Sequence, residues 1–139
     1  MVIAEQATDP VAFHAEGPVW SARWGGLRWV DMLAGDVLSL ADDGTVNRRH
    51  VGTVAAALRP RTCGGAVIAV ERGFVLEEPD GTLTALDEVW NDDRVRMNGV
   101  AATRAAGSTA GRWRTTSDRA RRRCIAWTPI ARSGACSTT

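Results

Sequence analysis

The sequence predicts an all-β fold, and three observations lead to that prediction. Residues that accept the backbone geometry of tight turns recur along residues 16–98, at intervals of about sixteen to twenty residues. Short segments of strand-like composition lie between these turns. No window of eleven or more residues shows the periodicity of an amphipathic helix. We therefore expect a series of antiparallel hairpins.

The turns and strands can be placed along the chain. Turns are expected at Gly25-Gly26, Asp42-Asp43-Gly44, Gly64-Gly65 and Asp80-Gly81, because Gly and Asp tolerate the positive φ of a tight hairpin. Strands are expected at Leu27–Met32, Asp36–Leu40, Thr45–Val51, Ala66–Val70, Phe74–Leu76 and Leu83–Val89. The segment Ala66–Val70 is apolar throughout, which is typical of a strand buried on both faces.

Length and composition narrow the class of protein. A chain of 139 residues, 45% of them apolar, is long enough for one domain with a core. No apolar stretch approaches the ~20 residues of a membrane helix, and the N-terminus lacks the features of a signal peptide. We therefore expect a cytoplasmic protein without a membrane partner. Its three cysteines show neither CxxC spacing nor a neighbouring His, which argues against a disulfide framework and a cysteine-based zinc site.

Charge and composition divide the chain after residue 98. Residues 1–98 carry nine Arg against fifteen Asp and Glu, whereas residues 99–139 carry eight Arg against one acid, Asp118. The second segment contains no Leu and no Phe, so it has few residues that could form a core. We therefore predict that residues 99–139 are irregular and disordered.

Four segments follow one another in a recognisable order. They are Glu16-Gly-Pro-Val-Trp20, Leu27-Arg-Trp-Val-Asp31, Pro79-Asp-Gly-Thr-Leu83 and Arg96-Met-Asn98. In this order and at these separations they resemble the regucalcin/gluconolactonase (senescence marker protein) family over about residues 14–98. The resemblance implies part of a six-bladed β-propeller, of which these residues supply about two blades at about 40–45 residues each.

The resemblance also implies a chemistry. Members of the family hydrolyse sugar lactones with one divalent metal ion, calcium or zinc, which polarises the lactone carbonyl while a carboxylate activates water. By resemblance, Glu16 is a metal ligand, and Arg96 and Asn98 bind the oxygens of a small-molecule sugar lactone. No catalytic residue is assigned. Asp31 is interpreted as structural, His14 and His50 as surface residues without partners at catalytic spacing, and the tryptophans as packing residues rather than sugar platforms.

The family pattern stops at Asn98, and the genetic code suggests why. If the true reading frame begins one nucleotide earlier, Ala101–Ser108 permits the family-like sequence G-C-D-P-R-G-R-F. In that frame, the last base of the Trp127 codon and the first two bases of the Thr128 codon can encode only Asp. This Asp lies in a segment whose codons permit the family-like sequence L-Y-R-L-D-P-D. Out-of-frame DNA of high GC content also yields the observed mixture of Ala, Arg, Gly, Ser and Thr, and the chain contains no Lys and no Tyr. Residues 99–139 are therefore interpreted as a frameshifted segment.

The chain is thus divided into a lead-in (residues 1–13), a partial propeller (residues 14–98) and a tail that is interpreted as out of frame (residues 99–139). Later blades supply the family's remaining metal ligands, so we expect this chain to be truncated and inactive. Two alternatives remain open. The first is a small β domain whose Arg-rich tail, with Arg119, Arg121, Arg122 and Arg123, binds nucleic acid; the lactonase interpretation expects no such partner. The second is a non-catalytic propeller fragment.

Overall fold

The computed structural model describes residues 2–105, 108–115 and 124–127, with the backbone alone from residue 100 onward. The described residues form eleven strands. They are β1 (Ala15–Ser21), β2 (Gly26–Asp31), β3 (Asp36–Leu40), β4 (Val46–His50), β5 (Ala55–Pro60), β6 (Ala66–Val70), β7 (Phe74–Glu77), β8 (Leu83–Ala85), β9 (Met97–Ala105), β10 (Ser108–Thr115) and β11 (Cys124–Trp127). Two single turns of 3₁₀ helix, Ala22–Trp24 and Met32–Ala34, follow β1 and β2.

The strands form three sheets in chain order. The first sheet has the order β1-β2-β3-β4, the second β5-β6-β7-β8 and the third β11-β10-β9. Every neighbouring pair is antiparallel, so each sheet is a meander, and short turns join the strands of the first two sheets. The all-β prediction is confirmed, and the repeated sheets are those of a partial propeller. In the described part of the chain, no helix has the length and hydropathy needed to cross a membrane.

The predicted turns are confirmed. Glycines at all four positions have positive φ: Gly25 and Gly26, Gly44, Gly64 and Gly65, and Gly81. A fifth turn, at Gly35 between β2 and β3, was not predicted. Gly35 has φ 71°, and a Cβ there would overlap the carbonyl oxygen of Gly52. Glycine is therefore required at this turn by both conformation and space.

The predicted strands agree with β2, β3, β4, β6, β7 and β8, although β8 ends at Ala85 rather than at Val89. Two strands of the first two sheets, β1 and β5, were missed. The segment of β1 contains Gly17 and Pro18, and β5 consists largely of alanine and ends at Pro60. Gly, Ala and Pro are poor strand formers by composition, so local propensity did not reveal either strand. Both strands form because of tertiary packing rather than local propensity.

The prediction of an irregular tail needs correction for the residues that the structure describes. The backbone of β9, β10 and β11 forms a third antiparallel sheet after Asn98. Strand pairing satisfies backbone hydrogen bonds without large apolar side chains, and this segment contains Thr, Val, Ile and Trp, which favour strands. The remaining tail residues, 106–107, 116–123 and 128–139, lie outside the described part of the chain.

The core lies between the sheets. One buried cluster joins Val30 and Val37 of the first sheet to Leu58 and Ile68 of the second. Another cluster contains Met32, Phe74 and Met97, which belong to or directly follow strands of the three different sheets. Burial of these side chains against neighbouring sheets is what holds a meander in place, since a single four-stranded sheet exposes both faces.

Charged side chains also join the first and second sheets. The carboxylate of Glu77 on β7 is largely buried and accepts hydrogen bonds from Arg28 on β2 (Nη1–Oε2, 2.7 Å) and Arg49 on β4 (Nη1–Oε1, 3.3 Å). Arg28 also lies over the ring of Trp24, 4.9 Å from its centroid. This ion-pair group joins the first and second sheets.

Candidate active site

The first strand of each sheet contributes to one site. β5 packs against β1 on one side and against β9 on the other, so the three strands lie side by side across the sheets. Glu16, Ala56 and Asn98 occupy the same place in these strands, because each is the second residue of its strand. The repeated fold therefore brings residues far apart in sequence to one level.

Each of these strands has an irregular register at its start. On β1 the pairing with β2 shifts between Glu16 and Val19, and on β5 the pairing with β6 skips Ala56. On β9 the residue skipped in pairing with β10 is Asn98. On β5 and β9 one residue is thus left outside the ladder, whereas on β1 Glu16 stays paired with Val30 and the irregularity falls on Gly17 and Pro18. Bulges redirect side chains and are enriched beside active sites. The three bulges lie at the level of the same cavity.

That cavity has a volume of about 290 Å³. Its lining consists of two consecutive residues from each strand start, together with one arginine further along β5: Glu16, Gly17, Ala56, Ala57, Asn98, Gly99 and Arg59. Glycine and alanine leave the space open, whereas Glu16, Asn98 and Arg59 bring polar groups to it. The volume lies at the small end of the ligand pockets of proteins, about 300–1,000 Å³.

A hydrogen-bonded carboxylate anchors the chain just before Glu16. Asp31 is 1% exposed and accepts hydrogen bonds from the backbone N–H groups of Phe13 (2.9 Å) and His14 (2.8 Å). Arg48 on β4 donates to Asp31 and also to Asp36. Asp31 thereby holds the lead-in against the first sheet, two residues before Glu16. The interpretation of Asp31 as a structural residue is confirmed.

These contacts determine the ionisation of both aspartates. Burial by itself raises the pKa of Asp31, but the hydrogen bonds from Phe13, His14 and Arg48 outweigh it and hold the pKa below its ordinary value. For Asp36, burial likewise raises the pKa, and hydrogen bonds from Arg48 and His50 lower it further than burial raises it. Both carboxylates are therefore charged at neutral pH.

The structure places two of the three predicted site residues in the cavity. Glu16 and Asn98 both line it, on different sheets. Arg96 does not line it; its Nη1 contacts the sulfur of Met32 (3.2 Å) and the carbonyl oxygen of Met97 (3.4 Å). The role of Arg96 in substrate binding stays a prediction. Arg59, which sequence reasoning did not single out, is the arginine in the lining.

The histidines lie at the surface, as expected, with side chains 41% exposed at His14 and 70% exposed at His50. Each has a carboxylate neighbour: His14 Nε2 lies 3.6 Å from Glu16 Oε1, and His50 Nδ1 lies 2.8 Å from Asp36 Oδ1. The interpretation of the tryptophans as packing residues needs correction. Among the tryptophans, Trp29 is buried as expected, but Trp20 is 70% exposed. Alternation along β1 turns Trp20 away from the core. Trp113 and Trp127 have no described side chains.

Within the described residues, no group of three or more His, Cys, Asp and Glu side chains comes together in a way that could hold a metal ion. A second cavity, of about 300 Å³, lies at the opposite end of the first sheet and is lined by residues including Trp24, Arg28 and Asn47. Its arginine is already paired with Glu77. The arginines of the predicted nucleic-acid-binding tail, Arg119 and Arg121–Arg123, lie outside the described residues.

Known proteins with similar structure support the propeller architecture. The structure resembles virginiamycin B lyase from Staphylococcus aureus, a propeller-type protein, with a TM-score of 0.56 and 14% sequence identity, over 86% of this chain and 41% of that protein. At this identity the likeness concerns the fold alone.

Two sequence comparisons address the family. A protein of Sulfolobus acidocaldarius is 33% identical over 85 residues, which are 60% of this chain and 30% of that protein. The chain thus spans well under half the length of either protein it matches here. The sequence pattern of the SMP-30/Gluconolactonase/LRE-like region matches residues 14–130. This match extends beyond Asn98, so the frameshift stays a prediction that only the nucleotide sequence decides. Because the match covers most of its length, the chain belongs to the SMP-30/gluconolactonase/LRE-like family.

Proposed function

We propose that this chain is part of a metal-dependent hydrolase of sugar lactones. The observation that supports the proposal most directly is the cavity at the three bulged strand starts, where Glu16 and Asn98 lie together in a member of this family. A carboxylate and an amide in one cavity suit a small polyhydroxylated ligand. Glu16 is proposed as a metal ligand, and Asn98 as a donor and acceptor for substrate oxygens.

The fit of these residues to a metal ion is partial. Carboxylate and amide oxygens are the donors that a hard cation such as calcium prefers, whereas zinc favours nitrogen and sulfur with some carboxylate. Calcium takes about six to eight oxygens, more than Glu16 and Asn98 provide. The described residues therefore supply one part of a ligand set. When bound, such an ion supplies polarisation of the lactone carbonyl.

The chain's own residues have definable roles in this proposal. The negative charge of Glu16 holds the cation, and its position is fixed through the anchoring of Phe13 and His14 by Asp31. The small lining residues Gly17, Ala56 and Ala57 admit the sugar ring. The amide of Asn98 orients the sugar hydroxyls from the third sheet. We expect the 139-residue chain alone to lack hydrolytic activity, because its donor set is incomplete.

The test compares two proteins in a gluconolactone hydrolysis assay. One is the 139-residue chain, and the other is the product of the gene restored to the earlier frame after Asn98 and continued through further blades. We expect activity that EDTA abolishes in the second protein only. There, Glu16→Gln should reduce kcat/KM about a hundredfold or more, because it removes the ligand's charge while keeping its size. Glu5→Gln in the exposed lead-in is the matched control.

Two outcomes contradict the proposal in different ways. An inactive extended protein that is folded and binds calcium would remove lactone hydrolysis as the function. EDTA-sensitive hydrolysis by the 139-residue chain would show that the site is complete without further blades. The rival hypothesis of a nucleic-acid-binding tail predicts salt-dependent DNA binding by the 139-residue chain, which a fluorescence anisotropy titration measures.

A further inference from the structure

Arg59 differs from the other residues of the cavity lining. It is the fifth residue of β5, beyond the bulged strand starts, and it reaches the same cavity as Glu16 and Asn98. It is partly buried, and its Nη1 donates a hydrogen bond to the carbonyl oxygen of Leu58 at 2.7 Å. A guanidinium has five N–H donors, so it can bind a ligand while it keeps its protein partners.

The cavity has a negative charge on one strand and a positive charge on another. Glu16 on β1 is the negatively charged residue of the described lining and Arg59 on β5 the positively charged one; the others are glycine, alanine and asparagine. Burial lowers the pKa of Arg59, because the protein replaces part of the water around its charge. The guanidinium nevertheless remains protonated at any physiological pH. Its attraction for an anion is stronger in such surroundings than in bulk water.

We propose that Arg59 binds a carboxylate of the ligand, so that the site selects acidic sugars over neutral ones. A planar guanidinium matches a carboxylate through two parallel hydrogen bonds, which a neutral hydroxyl does not offer. If the chain is part of a lactone hydrolase, as proposed above, its substrates are lactones of sugar acids that carry a second carboxylate. The volume of about 290 Å³ suits a single sugar unit.

The test measures binding and requires no hydrolysis. The full 139-residue chain is titrated with D-glucarate, D-gluconate and D-glucitol, which carry two, one and no carboxylates on a similar carbon chain, and isothermal titration calorimetry gives the dissociation constants. We expect affinity to fall in that order. Arg59→Gln should weaken glucarate binding about tenfold or more, the effect of losing one charge-assisted hydrogen-bonded pair. Arg23→Gln, at an exposed arginine outside the cavity, is the matched control.

Each result supports or overturns the proposal. Arg59→Lys keeps the charge without the planar fork, so an intermediate affinity supports bidentate binding, and circular dichroism shows whether the variants remain folded. Equal affinity for glucarate and glucitol, no binding of any of the three, or an Arg59→Gln variant with unchanged affinity would overturn it. The extended protein could fail to hydrolyse lactones while the chain still binds carboxylates through Arg59. That result would support this proposal and contradict only the proposed function.

Discussion

The first and second sheets have the same four-stranded meander but are stabilised by different interactions. The buried residues of the first sheet include Asp31 and Asp36, both hydrogen-bonded to Arg48 on β4. The buried residues of the second sheet are apolar except for Glu77, which pairs with arginines of the first sheet. One topology is therefore compatible with two kinds of interior.

This difference has a physical explanation in what each sheet must hold. The second sheet lies between the other two and buries apolar surface against both. The first sheet must also hold the lead-in chain, whose backbone N–H groups need acceptors, and the Asp31 carboxylate provides them. Changes to apolar volume should therefore affect the second sheet most, and changes to charge the first.

The largest effect is expected from Phe74→Ala in the second sheet. Phe74 is 1% exposed and packs in the cluster that includes Met32 and Met97. Its truncation should reduce the free energy of unfolding by about 3–5 kcal/mol, measured by urea denaturation, because both burial and packing are lost. Phe13→Ala, at a phenylalanine that is 84% exposed, should change it by less than about 0.5 kcal/mol. Equal losses would mean that Phe74 is not part of the core.

A smaller loss is expected from Asp31→Asn in the first sheet. The variant keeps the size of the side chain but places an amide NH₂ where three donors now point, so the free energy of unfolding should fall by about 2–3 kcal/mol. Hydrogen exchange of the Phe13 and His14 amides should become faster. His50→Ala, which removes a 70% exposed partner of Asp36, should cost less than about 1 kcal/mol. Unchanged exchange at Phe13 and His14 would contradict the anchoring role of Asp31.

Loss of the ion pairs between the two sheets should reduce the free energy of unfolding by an intermediate amount. Glu77→Gln should lower the free energy of unfolding by about 1–2 kcal/mol, less than full burial would imply, because solvent partly screens Arg28 and Arg49. A double-mutant cycle with Arg28→Gln should give a coupling of about 1 kcal/mol. Glu78→Gln, at a more exposed neighbour, provides the control. Additive effects of the two mutations would show that the pair does not join the sheets.

Lowering the pH should produce the smallest and most gradual loss of stability. Asp31 and Asp36 have pKa values lowered from 3.8, so the unfolded chain binds their protons at higher pH than the folded chain. Their contribution is complete above pH 3.8 and is lost as the pH falls through the lower folded pKa values. Urea denaturation from pH 5 to pH 2.5 should show a smaller acid loss in Asp31→Asn than in the exposed control Asp87→Asn. Equal slopes in the two variants would assign the acid sensitivity to other groups.

The fold was predictable where local pattern and tertiary structure agree. Gly-containing turns and alternating or apolar strands placed six of the strands correctly, because these features act over a few residues. The missed strands β1 and β5 contain Pro18 and a run of alanines, and they form because neighbouring strands supply hydrogen bonds and cover. Local propensity does not include these interactions with neighbouring strands.

The site was predictable only through the family motifs. Glu16 and Asn98 were identified from those motifs, and the structure brings them together in one cavity. The register irregularities beside them, after Glu16 on β1 and at Asn98 on β9, arise from strand pairing, which local residue composition does not predict. Arg59 was missed for a related reason: it belongs to the unpredicted strand β5, so nothing in the sequence indicated which way it faces.

The bulged starts of β1, β5 and β9 have a consequence for protein engineering. Their second residues all line the same cavity, and two of these residues carry polar side chains while Ala56 occupies the other position. Ala56 is also 2% exposed and belongs to the buried cluster that contains Phe74, so the cavity and the core share a wall at this position. Ala56→Asp would add a third oxygen donor beside Glu16 and Asn98 but would also bring a charge against that core, so a metal centre designed here requires compensating changes around Phe74.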